Sequence, residues 1–121
     1  MSSATLNHFE DQYLGDLVKS FLDLIVLAML NGKAVHGYLI IANLHRTFGV
    51  LLSPGTLYPL LYHLEKEKLI QVKDSQKKKL YTLTPLGLKK VHEITTLYKR
   101  NSERIFHFID RNLFEEKLHE I

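Results

Sequence analysis

Apolar residues recur at helical spacing at Leu17, Val18, Phe21, Leu22, Leu24, Ile25 and Ala28, and Asn31-Gly32 closes the run. Leu27 and Leu30 add apolar surface on the remaining sides, which predicts a helix buried on more than one face. His36 to Phe48 predicts a second helix, with Leu39, Ile41, Ala42, Leu44 and Phe48 facing the core and Gly49 just beyond its end. Ser53-Pro54 opens a third: a hydroxyl to cap free amides, then a proline whose missing N–H costs nothing at the first helical position. Leu57, Leu60, Leu61 and Leu64 are its inward stripe. The period then changes to two. Ile70 to Asp74 and Lys79 to Thr84 alternate as short strands around Ser75-Gln76-Lys77-Lys78, a β-hairpin with a basic tip. Thr84-Pro85 repeats the cap-and-proline device and starts a long fourth helix with no strong breaker before Asn112.

Three helices, a two-stranded hairpin and a further helix are the order of a winged helix-turn-helix. The expected class is α+β, mostly α, with a two-stranded wing and a long C-terminal dimerisation helix. A hairpin of this size is not stable alone and must pack on the helices. In the last helix Leu88, Val91, Ile94, Tyr98, Ile105, Ile109 and Leu113 stand near heptad spacing, interrupted at Asn101 and Ser102. That is more apolar surface than a domain of about 90 residues can cover, so a second copy of the chain is the expected cover, with Phe21 joining the same interface. The expected parts are an N-terminal arm or short helix over 1–16, the winged helix over 17–84 and the dimerisation helix over 85–121. No internal repeat or low-complexity segment is present.

Composition narrows the function. At 121 residues, 45% hydrophobic and 24% charged, the chain suits one small globular domain. It has no cysteine, which removes disulfides, thiolate metal sites and cysteine nucleophiles. The most apolar run, Phe21 to Leu30, has ten residues and contains Asp23, about half of what a bilayer span needs. The N-terminus carries no basic region followed by an apolar stretch, so a soluble cytoplasmic protein without membrane contact is expected. The seven histidines never form the two-on-one-turn pair of metal motifs, and no phosphate loop or nucleophile elbow occurs. No metal, no cofactor and no enzymatic activity are expected.

The net charge of +3 hides a segregation. Lys33 to Lys90 holds ten basic and three acidic residues, a balance of +7, against −3 before it and −1 after it. No carboxylate occurs between Asp23 and Glu65, which suits a surface that must approach a polyanion. At 100° per residue, the face of the third helix opposite its leucines presents Gly55, Pro59, Tyr62, His63 and Lys66, flanked by Thr56 and Tyr58. Hydroxyls, an imidazole, an ammonium and aromatic edges can donate to phosphates or touch base edges in a major groove. Gly55 lets the helix N-terminus approach a phosphate closely. Pro59 removes the hydrogen bond to the Gly55 carbonyl and bends the helix locally. Lys77, Lys78 and Lys79, with Lys73 on the facing strand, put four ammonium groups around one hairpin, a tip suited to phosphate contact or minor-groove entry. Double-stranded DNA is therefore the expected partner. The competing reading is a winged helix whose exposed face binds a protein without sequence-specific DNA binding. The one-sided charge argues against it.

Five runs together resemble the PadR family of transcriptional regulators: Leu22 to Leu30, His36-Gly37-Tyr38, Ser53-Pro54-Gly55-Thr56-Leu57-Tyr58-Pro59-Leu60-Leu61, Leu64-Glu65 and Leu80-Tyr81-Thr82-Leu83-Thr84-Pro85-Leu86-Gly87. The resemblance covers about residues 20 to 95. It implies a dimeric winged-helix DNA-binding protein, usually a repressor, with the third helix in the major groove and the wing on the backbone. By position it implies DNA contacts from Ser53, Thr56, Tyr58 and His63 and from Lys77 to Lys79. Tyr38 matches a family tyrosine that touches a phosphate or packs beneath the recognition helix. The chain resembles the short subgroup with a single C-terminal helix and departs from it in the fifteen or so residues before the first matching helix. Some family members bind small-molecule effectors; no residue here identifies a pocket for one.

Overall fold

The computed structural model describes residues 3–119, and side chains over 8–115. In chain order it contains α1 (Ser3–Ser20), α2 (Leu22–Met29), β1 (Val35–His36), α3 (Gly37–Phe48), α4 (Pro54–Lys66), β2 (Ile70–Ser75), β3 (Lys78–Leu83) and α5 (Pro85–His119). This is the expected mostly helical winged helix. The chain divides into two compact units, residues 1–91 and 92–121.

The first predicted helix is two helices. α1 runs from Ser3 and ends at Ser20, and Phe21 leaves helical geometry at φ −102°, ψ 14°. The apolar period passes through the break because the bonds from Phe21 N–H to the Leu17 carbonyl (3.0 Å) and from Ile25 N–H to the Phe21 carbonyl (2.9 Å) still span it. A continuous period therefore hid a discontinuous backbone. On α1, Phe9 and Tyr13 are one turn apart and meet edge to face, ring centroids 4.7 Å apart.

The core of the first unit joins Val26, Leu27 and Leu30 of α2 and its C-cap, Ile40 and Leu44 of α3, Leu57 and Leu61 of α4, and Ile70 of β2. On α4 the inward stripe is the expected one, with Leu57, Leu61 and Leu64 buried and Leu60 half-buried. On α3 the phase differs. Gly37, Ile40 and Leu44 are its buried residues, whereas Leu39, expected inside, is exposed. Leu39, Ile40 and Ile41 are consecutive and apolar, so the spacing alone does not choose which one points inward.

His36 lies just outside α3. Its Nδ1 accepts from Leu39 N–H at 3.3 Å and caps the helix, while its backbone belongs to β1. That two-residue strand is too short to show a period, and it extends the hairpin to a three-stranded antiparallel sheet of order β1-β3-β2. Val35 pairs with Tyr81 and His36 with Leu80. The hairpin itself turns in two residues rather than four, since Ser75 pairs with Lys78. Gln76 and Lys77 both have positive φ, 47° and 69°, as two-residue hairpin loops demand.

The base of the hairpin is fixed on both sides. Leu83 N–H donates to the Leu30 carbonyl and Thr84 N–H to the Leu69 carbonyl, both at 3.0 Å. The Thr84 hydroxyl is shared between the carbonyls of Lys68 (2.8 Å) and Leu69 (3.0 Å), and it accepts from Gly87 N–H at 2.9 Å. A cap residue thus ties the start of α5 to the start of β2. α5 continues through Asn112, whose Nδ2 donates to the Phe108 carbonyl at 2.8 Å instead of ending the helix.

Candidate nucleic-acid interface

Ser53 caps α4 through its Oγ, which accepts from Thr56 N–H at 3.2 Å and lies 3.1 Å from the Thr56 hydroxyl. With Pro54 next, the helix start is set by local chemistry alone. Burial of Leu57, Leu61 and Leu64 turns the opposite face outward. Gly55, Thr56, Pro59, Tyr62, His63 and Lys66 are all exposed there, Tyr62 by 66%. α4 runs unbroken through Pro59, with the Gly55 carbonyl losing its partner on the solvent side. His63 Nε2 stands 3.1 Å from Glu67 Oε1, one turn on. Both groups are more than half exposed, so the pair adds little stability.

Tyr58 is less free than its position on the helix suggests. Its ring lies over Gly37, where an added Cβ would come within 2.7 to 2.9 Å of the hydroxyl and ring carbons. Tyr38, on the first turn of α3, is 72% exposed. Lys73, Lys77, Lys78 and Lys79 are exposed on the hairpin, and Lys73 sits opposite Leu80. The last three border a cleft of about 390 Å³ together with His36, Gly37, Tyr58 and Tyr81. Tyr81 is 95% buried in that wall, its relative exposure being 5%. Burial, then the neighbouring Tyr58, Glu65 and Asp74, raises its pKa above the ordinary 10.0.

His36, Gly37 and Tyr81 were not among the residues singled out from the sequence as binding groups. Tyr81 alternates inward on β3, and only the register Val35↔Tyr81 reveals that it stands beside the start of α3. The residues expected at a dimer interface divide. Phe21, Val91 and Ile94 are half-buried within the chain, Val91 against the core of the first unit. Leu88, Tyr98, Ile105, Ile109 and Leu113 are exposed. Among the described residues no group of acidic or histidine side chains could hold a metal ion, and no helix is long and apolar enough to cross a membrane.

A family model described as the PadR-like transcriptional regulator family matches residues 26–93. The fold resembles a solved PadR-like transcriptional regulator from Bacillus cereus strain ATCC 14579, with 28% identity, a TM-score of 0.64, and coverage of 78% of this chain and 96% of that one. It also resembles a PadR family transcriptional regulator from Eggerthella lenta DSM 2243, at 21% identity and a TM-score of 0.70, covering 88% of this chain and 97% of that one. Among curated proteins, the transcriptional activator GvpE1 of Halobacterium salinarum (strain ATCC 700922 / JCM 11081 / NRC-1) is 35% identical over 69 residues, 56% of this chain. The chain's matches span 24% to 36% of the length of such curated relatives.

Proposed function

Because the chain belongs to the PadR-like transcriptional regulator family, whose members are not enzymes, we propose that it binds a short inverted repeat in double-stranded DNA as a homodimer and represses transcription there, in the cytoplasm. The observation that carries this reading is the outward face of α4, which presents Thr56, Tyr62, His63 and Lys66 with no carboxylate before Glu65. Beside it the hairpin, here the wing, holds four exposed lysines. A helix fits the major groove, and ammonium groups on a flanking hairpin neutralise backbone phosphates. Two such helices about 34 Å apart would read half-sites one helical turn apart.

Repression needs the fewest further contacts, since a dimer seated on a promoter excludes polymerase by occupancy. GvpE1 is named an activator, so a promoter reporter decides the sign here: added protein lowering expression supports repression, and a rise overturns it. A small-molecule effector would show in the same reporter as release of the promoter.

The test of DNA reading is selection of bound duplexes from a random pool at about physiological salt, where non-specific binding is weak. A palindrome with half-sites one turn apart is the expected product. A folded sample that enriches no motif would favour a protein-binding winged helix. Within the DNA reading, Lys78→Ala is expected to weaken binding to all duplexes alike and to flatten the salt dependence by roughly one unit, measured by titration over several salt concentrations. A changed sequence preference with an unchanged salt slope would remove Lys78 from phosphate contact.

A further inference from the structure

We propose that the cleft between β3, the start of α3 and α4 seats one phosphate of the DNA backbone, held by Tyr81, Tyr58 and His36 with the wing lysines around it. The proposal rests on the DNA-binding reading and adds a contact that neither the exposed helix face nor the lysine run requires.

Tyr81 is the observation that points to a ligand. It is 95% buried, yet among the described residues no protein group hydrogen-bonds its hydroxyl. No fully enclosed polar side-chain atom among the described residues lacks a partner, so the unpaired hydroxyl keeps some accessible surface, and Tyr81 lines the cleft. A phenol keeps its proton throughout the neutral range, which makes it a donor. His36 supplies a second donor. Its Nδ1 is occupied as an acceptor from Leu39 N–H, so the neutral ring carries its proton on Nε2. Tyr58 brings a third, positioned by the absence of a side chain at Gly37.

The lining explains the choice of ligand. The three donors and the ammonium groups of Lys77, Lys78 and Lys79 line the cleft; the carboxylates of Glu65 and Asp74 lie near enough to act on Tyr81 but do not line it, and the three lysines outnumber them. Phosphate oxygens accept hydrogen bonds and carry negative charge that the lysines neutralise, whereas a cationic group would be repelled by those lysines. The cleft is lined by residues of both α4 and the hairpin, so on the DNA-binding reading it lies between the recognition helix and the wing.

The experiment scans an operator duplex with neutral methylphosphonates, one phosphate at a time, against the full chain and its Tyr81→Phe variant. Phenylalanine keeps the buried ring, so equal melting temperatures show that the fold is unchanged. Tyr81→Phe is expected to lose about tenfold in affinity, the size of one hydrogen bond to a charged group. At a single phosphate in each half-site, neutralisation should weaken the wild type but leave the variant nearly unaffected, while other positions weaken both. Equal losses in both proteins at every phosphate would overturn the proposal, even though operator binding itself stood. Absence of wild-type binding to any duplex would instead refute the DNA-binding reading. Inorganic phosphate, titrated without DNA and followed by backbone amide shifts, separates the remaining source. Saturable shifts at Tyr81 with no methylphosphonate coupling would assign the cleft to a free anion and overturn the DNA contact.

Discussion

Placing a carboxylate at both Ile105 and Ile109 is expected to separate the proposed dimer and to lower affinity for the proposed inverted repeat by about 10² to 10⁴-fold. The two residues are 59% and 43% exposed in the single chain. With Tyr98 and Leu113 they form one stripe, all within about 60° of Tyr98 around α5. Against a second copy that stripe would be buried, and two unpaired carboxylates there cost far more than the interface returns. The loss in DNA affinity has a separate origin. A dimer makes its second half-site contact intramolecular, with an effective concentration in the millimolar range, and dissociation removes that advantage without altering any DNA contact. Sedimentation equilibrium should show a monomer, and affinity for an isolated half-site should be unchanged. A double variant that stays dimeric would move the interface off this stripe.

Gly87→Ala is expected to cost about 3 kcal/mol, the upper part of the range for forcing atoms into a packed site, and to lower the melting temperature by about 10 °C. A Cβ there would collide with the backbone carbonyl of Leu69 and with Leu83 Cδ1. Backbone cannot rotate away as a side-chain tip can. The same carbonyl receives Thr84 N–H and the Thr84 hydroxyl, so relieving the clash breaks the cap of α5. Gly15→Ala is the control. It lies within α1 with nothing within 4 Å of an added Cβ, and there alanine should stabilise by roughly 0.5 to 1 kcal/mol. Thermal unfolding of the two variants should shift in opposite directions. A neutral Gly87→Ala would show that α5 starts more loosely than the Thr84 hydrogen bonds imply.

Helix and hairpin were legible in the sequence wherever one force dominated. Ser53-Pro54 and Thr84-Pro85 mark helix starts through local capping chemistry, and both helices begin there. The leucines of α4 choose its inward face because apolar and polar positions separate cleanly. α3 was harder, since three consecutive apolar residues leave its phase to tertiary packing. The break at Phe21 left no mark because spanning hydrogen bonds preserved the period. β1 and the cleft were out of reach for a different reason. His36 and Tyr81 are 45 positions apart in the sequence and come together only through strand register, which no local pattern encodes.

Some of the exposed polar groups at the start and end of α4 are already occupied. Ser53 and Thr56 hydroxyls bond one another, and His63 holds Glu67. On the proposed DNA-binding reading, a base contact from these residues means exchanging partners, not satisfying empty ones. On a mismatched duplex the internal pairs simply persist, and the protein suffers no orphaned donor. On the matched duplex each new contact gains only the difference between two bonds. On the proposed DNA-binding reading, such a helix discriminates gently at these positions, and selectivity accumulates from the number of positions read and from the doubling of the site in the proposed dimer.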